Sequence, residues 1–334
     1  MKEVSAPDSL DALRTILIET GRIKNTDRLT HLTGGVSSLV ARIDGAESDP
    51  WVVKAPLAQL AVADEWIVDR SRGMNEAAAL RCLNGHIGPA RVPRLLFFDG
   101  DFTISGQEMI AGPPPTYKDE LMQGQSRPEV ATALGSALGA LHRLSPPPEL
   151  AGPEPRRLFD DLRLDPYYRV TAVRQPELGP LLQSLIDETV TVTPRCLVHG
   201  DFTPKNVLVS TDEVVIVDWE VIHTGDGSFD LATMTAHLLL KSLRDGAMGD
   251  RTSVLASVSK LWAAYDGPAC RQRALRHTGA VMLARIYGKS QVEYLASTAA
   301  RERVHAVGRR ALEGGCGDIE DLIEVARLAS QSKE

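Results

Sequence analysis

The chain has 334 residues, enough for about two domains or one bilobal unit. Apolar content of 43% with 24% charged residues is ordinary for a soluble globular protein. A net charge of −7 argues against nucleic acid as the main partner, and with no run of about 18 apolar residues no membrane span is expected. The first residues, MKEVSAPDSLDALRTILIET, lack the basic start, apolar core and small-residue cleavage site of a signal peptide and read as a helix. DRLTHL (27–32), SSLVARID (37–44) and PWVVKA (50–55) are short β-rich runs broken by TGG and GAES. GMNEAAALRCL (73–83) is helical, with Ala77, Leu80 and Leu83 at helical spacing, and two more strands, RLLFFD and ISGQEMI, flank GDFT. AGPPPTYKDE then breaks the pattern, and Pro113, Pro114 and Pro115 make a stiff hinge.

Past the hinge helices dominate. Ser126 with Glu129 three residues on is a candidate capping box, and Val130, Leu134, Ala137, Leu138 and Leu141 share one face of a helix running to about Leu144. SPPPELAGPEP reads as a second proline-rich connector. LVHGDFTPKNVLVS and EVVIVDWE form a strand-rich island, helices follow from Asp230, and the tail SQSKE frays. Cys82, Cys196, Cys270 and Cys316 lie far apart with no CxxC pair, as expected of reduced thiols in a cytoplasmic protein. The expected fold is α+β and bilobal, with a small β-rich lobe over residues 1–111 and a larger, mainly helical lobe over 112–334. A kinase-like fold reads this way.

Asp201 and Asn206 stand five residues apart in one short loop. Phosphoryl transfer to a hydroxyl needs a carboxylate to orient the nucleophile and oxygen ligands to hold a metal–triphosphate, and protein kinases place both at this spacing. Gly200 occupies the position where that signature has Arg. Twelve residues beyond Asn206, Asp218 ends the apolar run VVIV. Asp218 and Glu220 flank Trp219 at strand spacing, so both carboxylates are expected on one face, a donor set suited to Mg²⁺. Upstream, Gly34 and Gly35, with Ser37 and Ser38 after them, allow backbone N–H groups to approach phosphate oxygens. Lys54 sits inside an apolar strand, where contact with the α- and β-phosphates gives it a reason. Glu76 is its candidate partner, with Asp64 and Glu65 as rivals. Glu108 to Ile110, ahead of the hinge, would offer main-chain groups to adenine.

HGDFTPKN followed by DWEVIHTGDGSFDLA resembles the aminoglycoside phosphotransferase and choline kinase superfamily, small-molecule kinases of protein-kinase-like fold. The resemblance covers nearly the whole chain. It implies Asp201 as catalytic base, Asn206 and Asp218 as magnesium ligands, ATP as phosphoryl donor, and Asp230 anchoring the catalytic loop from the next helix. His199 is read as an orienting core group. VVKAPLAQLAVADEW through Trp66, FDLATMTAHLLL and the late helix GAVMLARIYGKSQVEYL resemble the methylthioribose kinase branch. That branch carries an arginine pair in the late helix, of which this chain keeps Arg285 beside Ala284. It also has proline where Trp219 stands and lacks the amide of Asn206. The departures point to a different sugar-like or polyol acceptor.

Acceptor selection is expected from the larger lobe: FDDLRLDPYYR, Trp219, His223, Asp230 and the Arg285–Tyr287 region. Asp160, Asp161 and Asp165 would attract an amine, or else cap the neighbouring helix and face water, which is the preferred reading. Tyr167 and Tyr168 suit a core or a stacking wall equally, and Arg285 among apolar neighbours suits a ligand or a buried partner. Two other readings are an antibiotic phosphotransferase with an acid-rich pocket and a catalytically silent nucleotide-binding module. With no DFG or APE segment, and DWE running almost directly into FDLA, a protein-kinase activity is not expected.

Overall fold

The structure, a computed structural model, describes residues 6–32, 37–46, 49–58, 68–110, 114–193, 195–245 and 251–331. The first part runs α1 (Leu10–Glu19), β1 (Arg28–His31), β2 (Ser38–Asp44), β3 (Trp51–Pro56), α2 (Arg72–Leu83), β4 (His86–Ile87), β5 (Ala90–Arg91), β6 (Leu95–Asp99) and β7 (Ile104–Glu108). The second part opens with α3 (Tyr117–Met122), α4 (Pro128–Arg143), α5 (Pro148–Ala151) and α6 (Pro153–Phe159). A π-helix (Asp160–Arg169), α7 (Val170–Arg174) and α8 (Gly179–Thr191) lead to β8 (Cys196–Val198), β9 (Val207–Val209), β10 (Val214–Ile216) and β11 (His223–Gly225). Five helices close the chain: α9 (Ser228–Ser242), α10 (Arg251–Ala264), α11 (Arg271–Tyr287), α12 (Thr298–Leu312) and α13 (Ile319–Gln331). Among the described residues no helix is long and apolar enough to cross a membrane.

The first three strands pair antiparallel and continue through β7 to β6, in the order β1-β2-β3-β7-β6. Period-two burial puts Ala41, Ile43, Val53 and Ala55 on one face, where they meet Leu13 and Leu17 of α1 in a small core of their own. The hairpin β4–β5, which the sequence did not announce, lies in a second sheet, β4-β5-β10-β9, and so ties residues before the hinge to the island after it. Pro115 is docked there too, its carbonyl accepting from Val209 N at 3.0 Å. The large core packs α4, α10 and α11 around α9, with α12 against α11, and the residues of α9 are buried from Ser228 to Ser242. A helix buried on every side belongs at the centre of such a lobe.

Several sequence expectations give way here. Ser126 does not cap α4. Pro128 takes the first helical turn, which places the cap on Arg127, and the Ser126 hydroxyl goes instead to Ser257 Oγ at 2.7 Å. The capping box belongs to α3, where Asp119 N donates to Thr116 Oγ1 and Thr116 N to Asp119 Oδ2, both at 3.1 Å. Thr116→Ala is expected to cost about 1 kcal/mol, read as a lower urea midpoint with an unchanged slope. The proline-rich connector contains α5 and α6, because proline at the first helical positions starts a helix rather than preventing one. The strand expected through DWE stops at Ile216, and the late helix stops at Tyr287, with Gly288 N still bonded back to Ala284 O at 2.8 Å.

Candidate active site

Asp201 follows β8 in a loop held from below by α9. His199 N donates to Asp230 Oδ2 at 2.7 Å and Gly200 N to Asp230 Oδ1 at 2.9 Å, while His142 Nε2 lies 3.3 Å from Oδ2. Asp230 is fully buried and spends its carboxylate on the loop backbone, so it does not face an acceptor. Gly200 has φ +79°, and a Cβ there would stand 2.6 Å from Val221 O. Both facts explain glycine where the kinase signature carries arginine. His199 is fully buried, accepts from Asp201 N at 3.2 Å and lies 3.2 Å from Val217 O, the orienting position expected of it.

The Asp201 carboxylate is engaged at both oxygens. Asn206 Nδ2 reaches Oδ2 at 2.8 Å, Lys205 Nζ reaches Oδ2 at 3.0 Å, and Arg163 contacts Oδ1 at 3.1 Å. Burial would raise this carboxyl, but Arg163 and Lys205 outweigh it and hold it well below the usual range. Neither cation was singled out in the sequence. Lys205 lay inside the quoted motif, four residues past the aspartate. Arg163 comes from the π-helix, an irregular geometry that periodicity does not signal, and also donates to Gly200 O at 2.8 Å.

Asp218 enters from the other side. Its φ of +67° turns the chain out of strand geometry, so Asp218 and Glu220 do not alternate as expected. The Asp218 carboxylate meets Lys54 Nζ at 2.5 Å, and Lys54 also lies 3.0 Å from Glu76 Oε1. Burial alone would lower the lysine, yet Asp218, Glu76 and Glu220 together hold it far above its ordinary value. Glu220 is turned to the fully buried Arg72, at 3.2 Å, and is thereby occupied. Arg72 also donates to the carbonyls of Leu57, at 2.6 Å, and of Ser37, so it braces the chain on both sides of β2 and β3. This brace was not read from the sequence, where Arg72 looks like any helix-start residue.

Asn206 and Asp218 are the expected oxygen donors that remain once Glu220 is occupied, and Val217, next to Asp218, donates its N–H to Asn206 O at 3.0 Å. That donor set fits Mg²⁺, which takes few protein oxygens and completes its shell from phosphate and water. The Ser38 hydroxyl is buried with no hydrogen-bond partner among the described residues, at the start of β2 where a phosphate oxygen would be welcome. Gly34, Gly35, Asp64, Glu65, Trp66 and Pro113 lie outside the described residues.

The remaining candidates are dispersed. Glu108 N donates to Arg94 O at 2.8 Å, and its carboxylate accepts from Arg91, at 2.8 Å. Ile110 follows the end of β7 and is half-buried. Trp219 is a core residue, 1% exposed, with its indole N–H on Ile216 O at 3.0 Å. His223 is buried and stacked on Phe159. Asp160 pairs with Arg169 at 2.7 Å and Asp161 with Arg157 at 3.0 Å, while Asp165 lies 3.9 Å from Arg169. They make no free acidic pocket. Arg285 is buried and donates to Ser290 O at 2.7 Å, with its guanidinium 4.8 Å from the Tyr167 ring centre.

The chain is similar in sequence and in shape to known phosphotransferases. A methylthioribose kinase from Geobacillus kaustophilus is 23% identical over 230 residues, covering 61% of this chain and 57% of that enzyme. The chain thus matches just over half the length of this curated relative. Among solved structures, a choline/ethanolamine kinase family protein from Mesorhizobium loti superposes with a TM-score of 0.56 at 17% identity, covering 95% of this chain and 99% of its own. A type VIII aminoglycoside-3′-phosphotransferase gives 0.52 at 20% identity, over 82% and 98%. At those identities the likeness establishes the bilobal protein-kinase-like fold. The pattern of one family, described as the phosphotransferase enzyme family (APH), matches residues 28–271, most of the chain. With the loop, the metal-type donors and the buried lysine gathered as described, the chain belongs to the APH phosphotransferase enzyme family.

Proposed function

We propose that the chain is an ATP-dependent kinase that phosphorylates a hydroxyl of a small molecule of sugar-like or polyol kind, with residues 1–111 serving the nucleotide and 112–334 the acceptor, in the cytoplasm. The observation that supports this reading is the bridge from Lys54 on β3 to Asp218 beyond β10, which ties the small sheet to the segment after the Asp201 loop. Lys54, fixed by Glu76, would bind the α- and β-phosphates, and the loop through Ser37 and Ser38 would cradle them. Asp201 would accept a hydrogen bond from the acceptor hydroxyl and orient its oxygen toward the γ-phosphorus. The acceptor O–P bond then forms as the bond to the β,γ-bridging oxygen breaks, ADP departs, and the hydroxyl proton passes to Asp201 and on to solvent. A carboxylate held so far ionised is a weak base, which suits a loose transition state in which the proton leaves late. Mg²⁺ held by Asn206 and Asp218 would neutralise the triphosphate charge.

The paired state of Asp160, Asp161 and Asp165 speaks against an acid-rich aminoglycoside pocket. The test is magnesium-dependent ADP release from ATP across neutral sugars, polyols, choline, homoserine and aminoglycosides, with Asp201→Asn as control. A rise with one acceptor that the variant loses supports the kinase. ATP bound but never consumed, with every acceptor, would favour the silent module. Lys54→Met is expected to lower kcat/KM for ATP by about 10²-fold or more, measured at fixed acceptor.

A further inference from the structure

The described residues bury six cationic side chains, Lys54, Arg72, Arg163, Lys241, Arg244 and Arg285. Buried charges are ordinarily paired, and the first three obey, with Asp218 and Glu76, with Glu220, and with Asp201. The other three do not. Lys241 Nζ has only the carbonyl of His237, at 3.2 Å, and the face of Tyr294, 5.2 Å from the ring centre. Arg285 has Ser290 O and Oγ and lies 3.2 Å from His237 Nε2. Arg244 donates to Met122 O at 2.7 Å, and its Nε is buried with no partner among the described residues. Every hydrogen-bond partner of these three side chains among the described residues is neutral. The Tyr294 hydroxyl beside them is likewise buried and has no partner among the described residues.

We propose that the acceptor is a small hydroxylated anion, and that its carboxylate or phosphate group is received by Lys241, Arg285 and Arg244. This rests on the kinase reading and names the substrate class for the same site. The cluster adjoins the catalytic carboxylate through one ring. Tyr167 carries the Arg285 guanidinium 4.8 Å from its centre and that of Arg163, the partner of Asp201, at 5.8 Å. A molecule placing its hydroxyl on Asp201 therefore has its far end directed toward surplus positive charge. An anion there would supply the missing counter-charge and give the free donors of Arg244 and Tyr294 an acceptor. A choline or aminoglycoside ammonium would be repelled.

The charges facing Lys241 are Lys118 on α3, Arg244 just past its own helix and Arg285 on α11, with His237 one turn before it. Burial first, then Lys118, Arg285 and Arg244, brings its ammonium down to about 7. Burial, with Arg285 and Lys241, likewise pushes the His237 imidazole down, so it stands neutral. An anion would draw a proton onto Lys241, so binding should weaken as the pH rises through 7.

The test is calorimetry on the full chain, first with Mg·ADP and then, in its presence, with glycerol, glycerate and glycerol 3-phosphate, and with ribose, ribonate and ribose 5-phosphate. At least one anion should bind about 30-fold or more tighter than its neutral parent, as expected of a charge-assisted contact. Its affinity should fall about eightfold between about pH 6.5 and 8 by proton linkage. Carboxylates or phosphate esters leading the series tells the two anion sources apart. Lys241→Met should abolish the preference and the pH slope while ADP affinity holds, and its thermal midpoint should not fall, since it replaces an unpaired buried charge by an apolar chain of similar shape. If ADP binds but no anion exceeds its neutral parent, or if the preference survives in Lys241→Met, the proposal is overturned and the kinase reading stands. If ADP does not bind, the kinase reading falls and takes the proposal with it.

Discussion

Asp201→Asn is expected to lower kcat by about 10²–10⁴-fold while leaving the dissociation constant for Mg·ADP within about twofold. The amide keeps the shape of the carboxylate and can still accept from Asn206, so the loop has no steric reason to move. What it loses is the negative charge between Arg163 and Lys205, and with it the ability to take the acceptor's proton. Nucleotide contacts are assigned to Lys54, Asp218 and the strands of the small sheet, none of which bonds to Asp201, and Asn206, the other proposed Mg²⁺ holder, keeps an acceptor in the amide oxygen of the variant. Single-turnover phosphorylation beside ADP titration separates the two effects, and equal loss of both would assign Asp201 to nucleotide binding instead. Because its neighbours hold the carboxyl below the usual range, protonation of Asp201 lies further into acid than for an ordinary aspartate. Activity changes near neutrality must then come from another group.

Asp230→Ala is the second large effect. The carboxylate accepts two backbone N–H groups of the catalytic loop and lies beside His142, all of it fully buried. Truncation strands both donors in a site that water does not reach, a cost of about 3–5 kcal/mol. It also frees the chain around Gly200, so kcat should fall together with the urea midpoint. Asp230→Asn, which keeps one acceptor, should sit between. Burial would raise the Asp230 carboxyl, but His142, His199 and the Gly200 amide hold it lowered. Its stabilising contribution is thus complete at neutral pH and disappears as the pH falls through the lowered value. The gap between native and variant midpoints should accordingly narrow in acid. A gap independent of pH would mean that the carboxylate's charge is irrelevant there.

Much of this was legible from local pattern. Short β-rich runs bounded by turn residues placed β1, β2, β3, β6 and β7, and the apolar face of α4 is buried as its spacing predicted. The Lys54 pairing could be narrowed because an ammonium inside an apolar strand must find a carboxylate, and Glu76 is one it meets. What stayed hidden depends on distance in the chain or on unusual backbone. Arg163 reaches Asp201 from 38 residues upstream through a π-helix. Asp218 leaves the strand by a left-handed step open to few non-glycine residues, which alternation cannot foresee. Lys241 of α9 carried a signal that went unread, namely its place on one stripe of the helix with Asp230, Thr233 and His237 at helical spacing.

The division of the apolar interior has a mechanical meaning. Ala79, Leu80 and Leu83 of α2 pack into the large core, whereas Ala55, next to Lys54, packs into the small one with α1. The ion pair between Lys54 and Glu76 is consequently a clasp between two bodies rather than a brace inside one. Each body can loosen by its own free energy. Amides of β2 and β3 should therefore exchange with deuterium as one group, apart from those of α2, and nucleotide should draw the two groups together. In this chain the helix bearing the glutamate would stay with the catalytic lobe, and the sheet would do the travelling.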